Sequence, residues 1–570
     1  MWGLTTSHCS TWRTSRNKLD PEPLAESATK FQYMRRGGGQ DGRVLDVLAL
    51  SYQDLPYQLK VCFLYLGNYP EDFDINAKRL YQLWMADGFI SQEERREDET
   101  MMDVAERYMG ELAQRCMVQV ELQPEEDSII TGTRGFRYCR LHDLVRDLCL
   151  SKAKEENFHQ VIECGHINQQ EHPSSSSMVT SIGGNTCSKI HRLVINLDGN
   201  SNFHLFEQEE RARHIRTILF FIGPKELPKE IGNLILLRYL GINRGAFTKL
   251  PSSIGNLRHL QTLDLRTNFH ISVPNVLWKM EGLVHLYLPY RYFCTEGKLR
   301  VDGLRNLETL QNLDSDKVNV RDLFKLTNLR SLENVCIAGK LEDLTMANNY
   351  ILNSKQDGLR LLRQLLGCVC LVQLRIDGII GKLPQYEHQL LCPRLNYLSL
   401  QNSKLEEDPM ATLEKLPNLR ILSLERAFVG KEMVCSAHGF PHLKHLTLSC
   451  SQIEEWRVDD GAMPKLSYLL IACCRKLKML PNGLTFIPTL QGLQTVAMPK
   501  AFNDRLRVVD GQEGEDFHKI SHVPSIRFDA VKTFKKMKAL LLGRLLSLLK
   551  LKAVNGIEGN AVWEVLVIAG

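Results

Sequence analysis

Long apolar runs, export signals and metal-ligand spacings are all missing from this 570-residue sequence. No stretch of about 18 apolar residues occurs, so no membrane-spanning helix is expected. Met1 to Lys18 holds no apolar core of a secretory signal. No asparagine stands in an Asn-x-Ser/Thr sequon, which also speaks against an extracellular life. The 16 cysteines follow no CxxC…CxxC or CxxC…HxxxH spacing, so a metal centre is not expected. Cys62, Cys116 and Cys149 fall at apolar positions and read as buried free thiols in a reducing compartment, which places the chain in the cytoplasm. A charge surplus is missing too. The net charge is +5, from 71 basic and 66 acidic residues spread along the chain. That is too small and diffuse to call for nucleic acid or an anionic membrane. No HExxH, GxSxG or kinase signature is present, so an enzyme is not expected. Lone histidines such as His259 and His285 lie inside repeats, where they face solvent or pack.

Hydrophobic residues at 44% and charged residues at 24% describe a folded globular chain, long enough for more than one domain. Its dominant feature is a repeat. Leu-x-x-Leu-x-Leu recurs as Leu237/Leu240/Ile242, Leu260/Leu263/Leu265 and Leu283/Leu286/Leu288. It returns at Leu371/Leu374/Ile376, Leu395/Leu398/Leu400, Leu419/Leu422/Leu424, Leu443/Leu446/Leu448 and Leu466/Leu469/Ile471. Starts lie about 22 to 24 residues apart, the leucine-rich-repeat period. Weaker copies begin at Ile190, Ile215, Leu307, Leu329 and Leu490. The gap from Leu329 to Leu371 is nearly double and predicts one degenerate repeat inside it. The total is roughly 13 or 14 repeats.

Within each unit the second and third leucines share one face of an extended segment, and only neighbouring repeats can bury it. Leu227 to Leu234 and Leu250 to Leu257 are near copies. Pro228 and Pro251 set the start of the convex segment, and Gly232 and Gly255 are expected to permit its turn. Asn268 completes LxxLxLxxN, where an asparagine can bond the turn after the strand. Ser451 and Cys474 hold that place in other repeats. The side chains between the leucines point outward along a concave sheet, a surface that usually binds proteins or peptides.

Residues 44 to 165 lack this repeat. Helical patterns run from Val44 to Tyr52, from Leu55-Pro56 through Leu66, from Lys78 to Gly88 behind an Asn76 cap, from Met101 to Cys116, and from His142 to Lys154. Gln92 to Thr100 is a charged loop. Val118–Leu122 and Phe136–Leu141 can form a hairpin around the loop Pro124–Gly135. Short helices followed by a hairpin describe a winged-helix-like module. Reading it as a DNA-binding winged helix founders on charge. Its Lys78–Gly88 helix offers only Lys78 and Arg79, and several phosphate contacts are needed. The fold class is therefore α/β: a leucine-rich-repeat solenoid preceded by a mainly α winged-helix-like domain.

The segments Val47-Leu48-Ala49-Leu50-Ser51-Tyr52-Gln53-Asp54-Leu55-Pro56 and Leu59 to Phe73 resemble the second ARC subdomain (ARC2) of plant NB-ARC–LRR disease-resistance proteins. Leu83-Trp84-Met85-Ala86-Asp87-Gly88-Phe89-Ile90 follows in that family's order. Arg140-Leu141-His142-Asp143-Leu144 is similar to its MHD motif, with Leu141 in place of methionine. The resemblance spans about residues 31 to 526 and is nearest to the coiled-coil subclass. It implies five segments: 1–43 as a remnant of the NB-ARC region, 44–165 as ARC2, 166–189 as a Ser/Gly-rich linker, 190–526 as repeats, and 527–570 as a basic, apolar non-family tail.

In complete family members the MHD histidine contacts the phosphate of ADP or ATP, and the resemblance carries that role onto His142, with Asp143 beside it. This chain departs from the family upstream. Its only G-x-x-x-x-G, Gly37 to Gly42, is followed by Arg43 and Val44 rather than Lys and Ser/Thr, so it reads as a linker and not as a phosphate loop. No cofactor is expected, and the His142–Asp143 motif is expected to be vestigial, a packed pair at a domain edge. The resemblance implies recognition of a protein ligand, a pathogen effector or a guarded host protein, together with autoinhibitory contacts between ARC2 and the repeats. A repeat-built adaptor, or a regulatory decoy without nucleotide function, is the alternative. Co-purification from challenged and unchallenged tissue separates the two.

Overall fold

The computed structural model describes residues 48–163 and 191–529 apart from internal segments, of which 123–134, 197–213, 338–357 and 385–391 are the longest. The expected N-terminal remnant 1–43, the linker 166–189, the tail beyond 529 and Asn268 lie outside the described residues. The chain divides into two compact units, with the break after Phe158.

The first unit is helical with a small sheet. Pro56 leads into α1 (Tyr57–Leu66), and Asn76 caps α2 (Ala77–Ala86) by accepting from the Arg79 amide at 3.1 Å. A capping box between Thr100 and Asp103 starts α3 (Met101–Gln114). α4 (Asp143–Glu155) closes the unit. The hairpin forms as expected: β2 (Gln119–Leu122) pairs antiparallel with β3 (Phe136–Arg140), and β3 also pairs with β1 (Ile75–Asn76). Trp84, Tyr65 and Phe63 are fully buried between the helices. Cys149 on α4 donates to the Phe63 carbonyl of α1 at 3.3 Å, and Arg146 to the Tyr69 carbonyl at 3.1 Å. Cys62 and Cys149 are buried free thiols, whereas Cys116 is exposed. It follows α3 with φ 58°, a left-handed helix end that turns its side chain out of the core.

The second unit begins with β4 (Gln160–Glu163), β5 (Arg192–Asn196), β6 (Thr217–Ile222), β7 (Tyr239–Ile242), β8 (Thr262–Asp264), β9 (His270–Val273), β10 (His285–Tyr287) and β11 (Arg291–Cys294). Then come β12 (Thr309–Gln311), β13 (Ser331–Ile337), β14 (Gln373–Gly378), β15 (Tyr397–Gln401), β16 (Ile421–Glu425) and β17 (Glu432–Cys435). Last are β18 (His445–Ser449), β19 (Glu455–Val458), β20 (Tyr468–Ala472), β21 (Gly492–Val496), β22 (Val508–Val509), β23 (Gln512–Glu513) and β24 (Ser525–Asp529). Among the described residues fifteen of these strands form a single sheet in chain order from β4 to β24. Every pairing within it is parallel, as stacked repeats require.

The repeat leucines meet in register: Leu240 beside Leu263, Leu263 beside Leu286, Leu286 beside Leu310. Each is 0% exposed, and all belong to one continuous core. Burying a leucine contributes roughly 2 kcal/mol, so the stack is what holds the unit together.

Three boundaries differ from the sequence expectation. β4 pairs with β5, so the solenoid starts before residue 165 and the winged-helix unit is shorter. β24 runs past residue 526 to Asp529. Across the double gap β13 pairs directly with β14 through Ser331 and Gln373, with a register shift after Leu332, so no further strand stands between them in the sheet among the described residues. The sheet bulges there and accommodates an insertion whose described end, residues 358–363, is helical.

Pro228 and Pro251, at φ −63° and −71°, open the short 3-10 turns Lys229–Asn233 and Ser252–Asn256. The glycines act differently from expectation. A Cβ on Gly232 would meet the Ser253 carbonyl oxygen at 2.4 Å, and one on Gly303 the Trp278 carbonyl oxygen at 1.9 Å. They allow turns to stack closely. The ladder after the strands also differs: Ser451 is exposed, and its neighbour Cys450 does the bonding, to the Leu424 carbonyl. Cys474 bonds the Leu448 carbonyl in the next repeat.

Candidate functional site

Alternate residues of every repeat strand face away from the leucine core, so they are free of its packing demands. Thr262, His285, Thr309 and Ser331 make one cross-strand row, continued by Gln373, Tyr397, Ile421, His445 and Tyr468. Two residues further on, Arg375, Ser399, Ser423 and Thr447 make a second row.

The face divides into stretches of different chemistry. From β8 to β13 its polar groups satisfy one another. Arg266 donates twice to Asp264 and once to Gln311 Oε1 at 3.1 Å, and Gln311 donates to Glu333 Oε2 at 3.1 Å. Ser331 donates to Glu333 as well. Burial works against the Arg266 charge, but Asp264 outweighs it and raises the guanidinium above its ordinary pKa. At the far end Tyr468 bonds Gln494, whose amide donates to Asp529 at 2.7 Å.

Between them, β14 to β18 are less committed. Arg375 donates from Nη2 to the Tyr397 hydroxyl at 2.6 Å, while its Nε has no partner. The neighbouring Ser399 hydroxyl is buried and unpartnered too. Burial also opposes the charge of Arg375, and Tyr397, Glu333 and Glu425 together hold its pKa up.

Two histidines sit on this face, and neither is a proton shuttle near neutral pH. Burial pushes His285 down to about 4, and burial plus the Lys444 charge pushes His445 down to about 4. His285 Nδ1 lies 3.2 Å from Thr309 Oγ1, and His445 Nε2 lies 3.3 Å from Ser467 Oγ. His259 is exposed.

His142 and Asp143 are in the first unit, at the start of α4. His142 is the N-cap residue, with extended backbone and no side-chain cap bond. Both are exposed, so they do not form the packed pair expected of a vestigial motif. Leu141, by contrast, is buried. Two exposed side chains at a helix start do not make a nucleotide cradle, and the described residues bring no glycine-rich phosphate loop to them.

No helix of the described residues is long and apolar enough to cross a membrane, and no cluster among them could hold a metal ion. Sequence reading marked the outward positions only as a class. It missed Arg375, Tyr397 and Ser399, although each stands between repeat leucines, because register across strands is set by stacking.

Comparison with known proteins agrees with both units. Residues 69–149 match the family described as Disease resistance protein Winged helix domain, and residues 225–503 match Leucine-rich repeat region. The chain is 35% identical over 531 residues to Probable disease resistance RPP8-like protein 2 of Arabidopsis thaliana, covering 85% of this chain and 55% of that protein. It is 37% identical over 533 residues to Putative disease resistance protein At1g59780 of the same plant, covering 85% and 53%. Among solved structures, a leucine-rich-repeat protein of Leptospira interrogans covers 56% of this chain and 73% of its own at TM-score 0.38 and 18% identity, too little for argument. The chain spans about half the length of the curated relatives it matches. With a winged helix of the disease-resistance type ahead of a stacked leucine-rich sheet, the chain is a homologue of plant disease-resistance proteins over about half their length.

Proposed function

We propose that this chain carries the recognition surface of a plant immune receptor. Its repeat sheet binds a protein ligand, either a pathogen effector or a host protein under guard, in the cytoplasm. The observation behind this reading is the open stretch from β14 to β18. There a parallel sheet offers the partly exposed Gln373, Arg375 and Thr447 to solvent, and the Arg375 guanidinium keeps one unfilled hydrogen-bonding group. Protein surfaces recognise one another by meeting such groups with complementary ones. The absence of disulfides among the described cysteines supports a reducing compartment. Binding rather than catalysis suits the face, whose histidines are held neutral by burial and whose acids are engaged in bonds across strands.

On the same reading, this chain holds no ADP or ATP by itself. A switch driven by nucleotide exchange would need groups beyond His142 and Asp143.

The test is affinity purification of the full chain from pathogen-challenged and unchallenged leaves, beside a variant with Ser423→Arg and Thr447→Arg on the sheet face. A protein recovered with the native chain from challenged leaves and lost with the variant supports the proposal. Identical recovery by both chains refutes it.

A further inference from the structure

The edge where the chain enters the sheet carries an unbalanced row of cations. One residue ahead of each strand, the backbone forms a continuous ladder. The Arg420 amide donates to the Asn396 carbonyl at 2.8 Å, Lys444 to Arg420 at 2.7 Å, and Ser467 to Lys444 at 2.8 Å. Arg420 and Lys444 are therefore side by side, about 4.8 Å apart along the sheet. Arg394 and Lys465 occupy the position three residues ahead of β15 and β20. All four side chains are exposed.

None of the four forms an ion pair among the described residues. Elsewhere in the solenoid, exposed cations commonly meet acids in adjoining turns: Lys382 with Glu407, Lys431 with Glu454, Lys325 with Asp302. Ahead of β15, β16, β18, β20 and β21 no acid occupies either rim position. Lys465 meets only the His442 ring, at 3.0 Å from Nδ1. Like charges on neighbouring strands repel, so the row weakens the fold unless something outside it supplies negative charge.

We propose that this rim seats an acidic segment of the protein partner, lying across the entry edge of β15 to β20. Three strand spacings amount to about 14 Å, the reach of about five extended residues. The inference rests on the reading of the repeat sheet as a protein-recognition surface. A single-stranded nucleic acid would meet the same charges, but it also needs open ring faces on which to stack bases. Tyr397 and His445, the rings that open β15 and β18, are only 5% and 7% exposed, and the exposed ring at these rim positions, His442, is engaged by Lys465. That favours a peptide.

Fluorescence anisotropy tests this with the full chain and a labelled peptide of alternating glutamate and serine, about eight residues long to overreach the rim. Binding should weaken about tenfold in the double variant Arg420→Glu/Lys444→Glu and by less in Arg420→Gln/Lys444→Gln. It should be unchanged in Arg258→Glu/Arg321→Glu, which reverses exposed cations off this stretch. Equal binding by all variants overturns the proposal, as does absence of peptide binding. So does tighter binding of an oligouridylate or of phosphatidylserine vesicles. Far-ultraviolet dichroism of each variant guards against misfolding. Loss of leaf-tissue capture with the Ser423→Arg/Thr447→Arg chain, but not with the rim reversal, would sink this inference alone. Retained capture with both would sink the recognition reading beneath it.

Discussion

Arg266 and Asp264, two residues apart at the end of β8, form a bidentate ion pair, with Nε 3.0 Å from Oδ1 and Nη2 2.7 Å from Oδ2. The guanidinium lies 3.9 Å from the Tyr287 ring centroid in the next sheet strand. Both side chains are largely buried, at 18% and 3% exposed, so neither charge is well solvated. Asp264→Ala should destabilise the solenoid by about 3 kcal/mol, because it strands the arginine. The double variant Asp264→Ala/Arg266→Met should recover part of that loss. Urea midpoints of the two variants measure it, and equal midpoints would contradict a pair held by mutual compensation.

Leu263 is fully buried between Leu240 and Leu286. Leu263→Ala opens a cavity that neighbouring repeats cannot close without moving their own leucines, and should cost about 3 kcal/mol. The melting temperature of the full chain reads this directly. A change within error would mean that the stack relaxes around the gap.

Gly303→Ala tests close turn stacking. Its Cβ would fall 1.9 Å from the Trp278 carbonyl oxygen, so one of two backbone turns must shift. We expect a loss of roughly 2 kcal/mol or more, whereas Gly297→Asn, at φ 69° with open space around its Cβ, should cost far less. Comparable losses at the two glycines would rule out crowding as the cause.

Acid should weaken the solenoid through its buried histidines. His285 and His445 have an ordinary pKa of 6.5 and titrate near 4 in the folded chain. Below 6.5 the unfolded chain takes up protons that the folded chain refuses. The stability due to neutral burial is therefore complete above pH 6.5 and lost as pH falls toward 4. The urea midpoint should drop from pH 7 to pH 5, and drop less in His285→Gln/His445→Gln. An equal drop in both proteins would assign the acid sensitivity to other groups.

Calorimetry of the full chain with ADP should register no binding, since His142 and Asp143 stand exposed at the start of α4 without a phosphate loop among the described residues. Micromolar affinity would show that residues of this chain complete a nucleotide site.

The repeat period and the two-residue alternation within each Leu-x-x-Leu-x-Leu unit sufficed to infer a stacked parallel sheet. Only neighbouring copies can bury such an edge, whatever the outward residues are. The helix behind Asn76 was equally legible, since its capping group acts within one turn, and the helix from Met101 showed in its apolar pattern. Stacking decided what local pattern does not encode. It made β13 the direct neighbour of β14 despite the long gap, because parallel pairing depends on which edges meet rather than on the distance between them along the chain. It joined β4 to the repeats, and it put Cys450 rather than Ser451 on the ladder. It also brought Arg420 beside Lys444 and left Arg375 half-satisfied next to Ser399. Residues some two dozen positions apart become neighbours only when separate turns share one register, and the chemistry of the recognition face follows from that register.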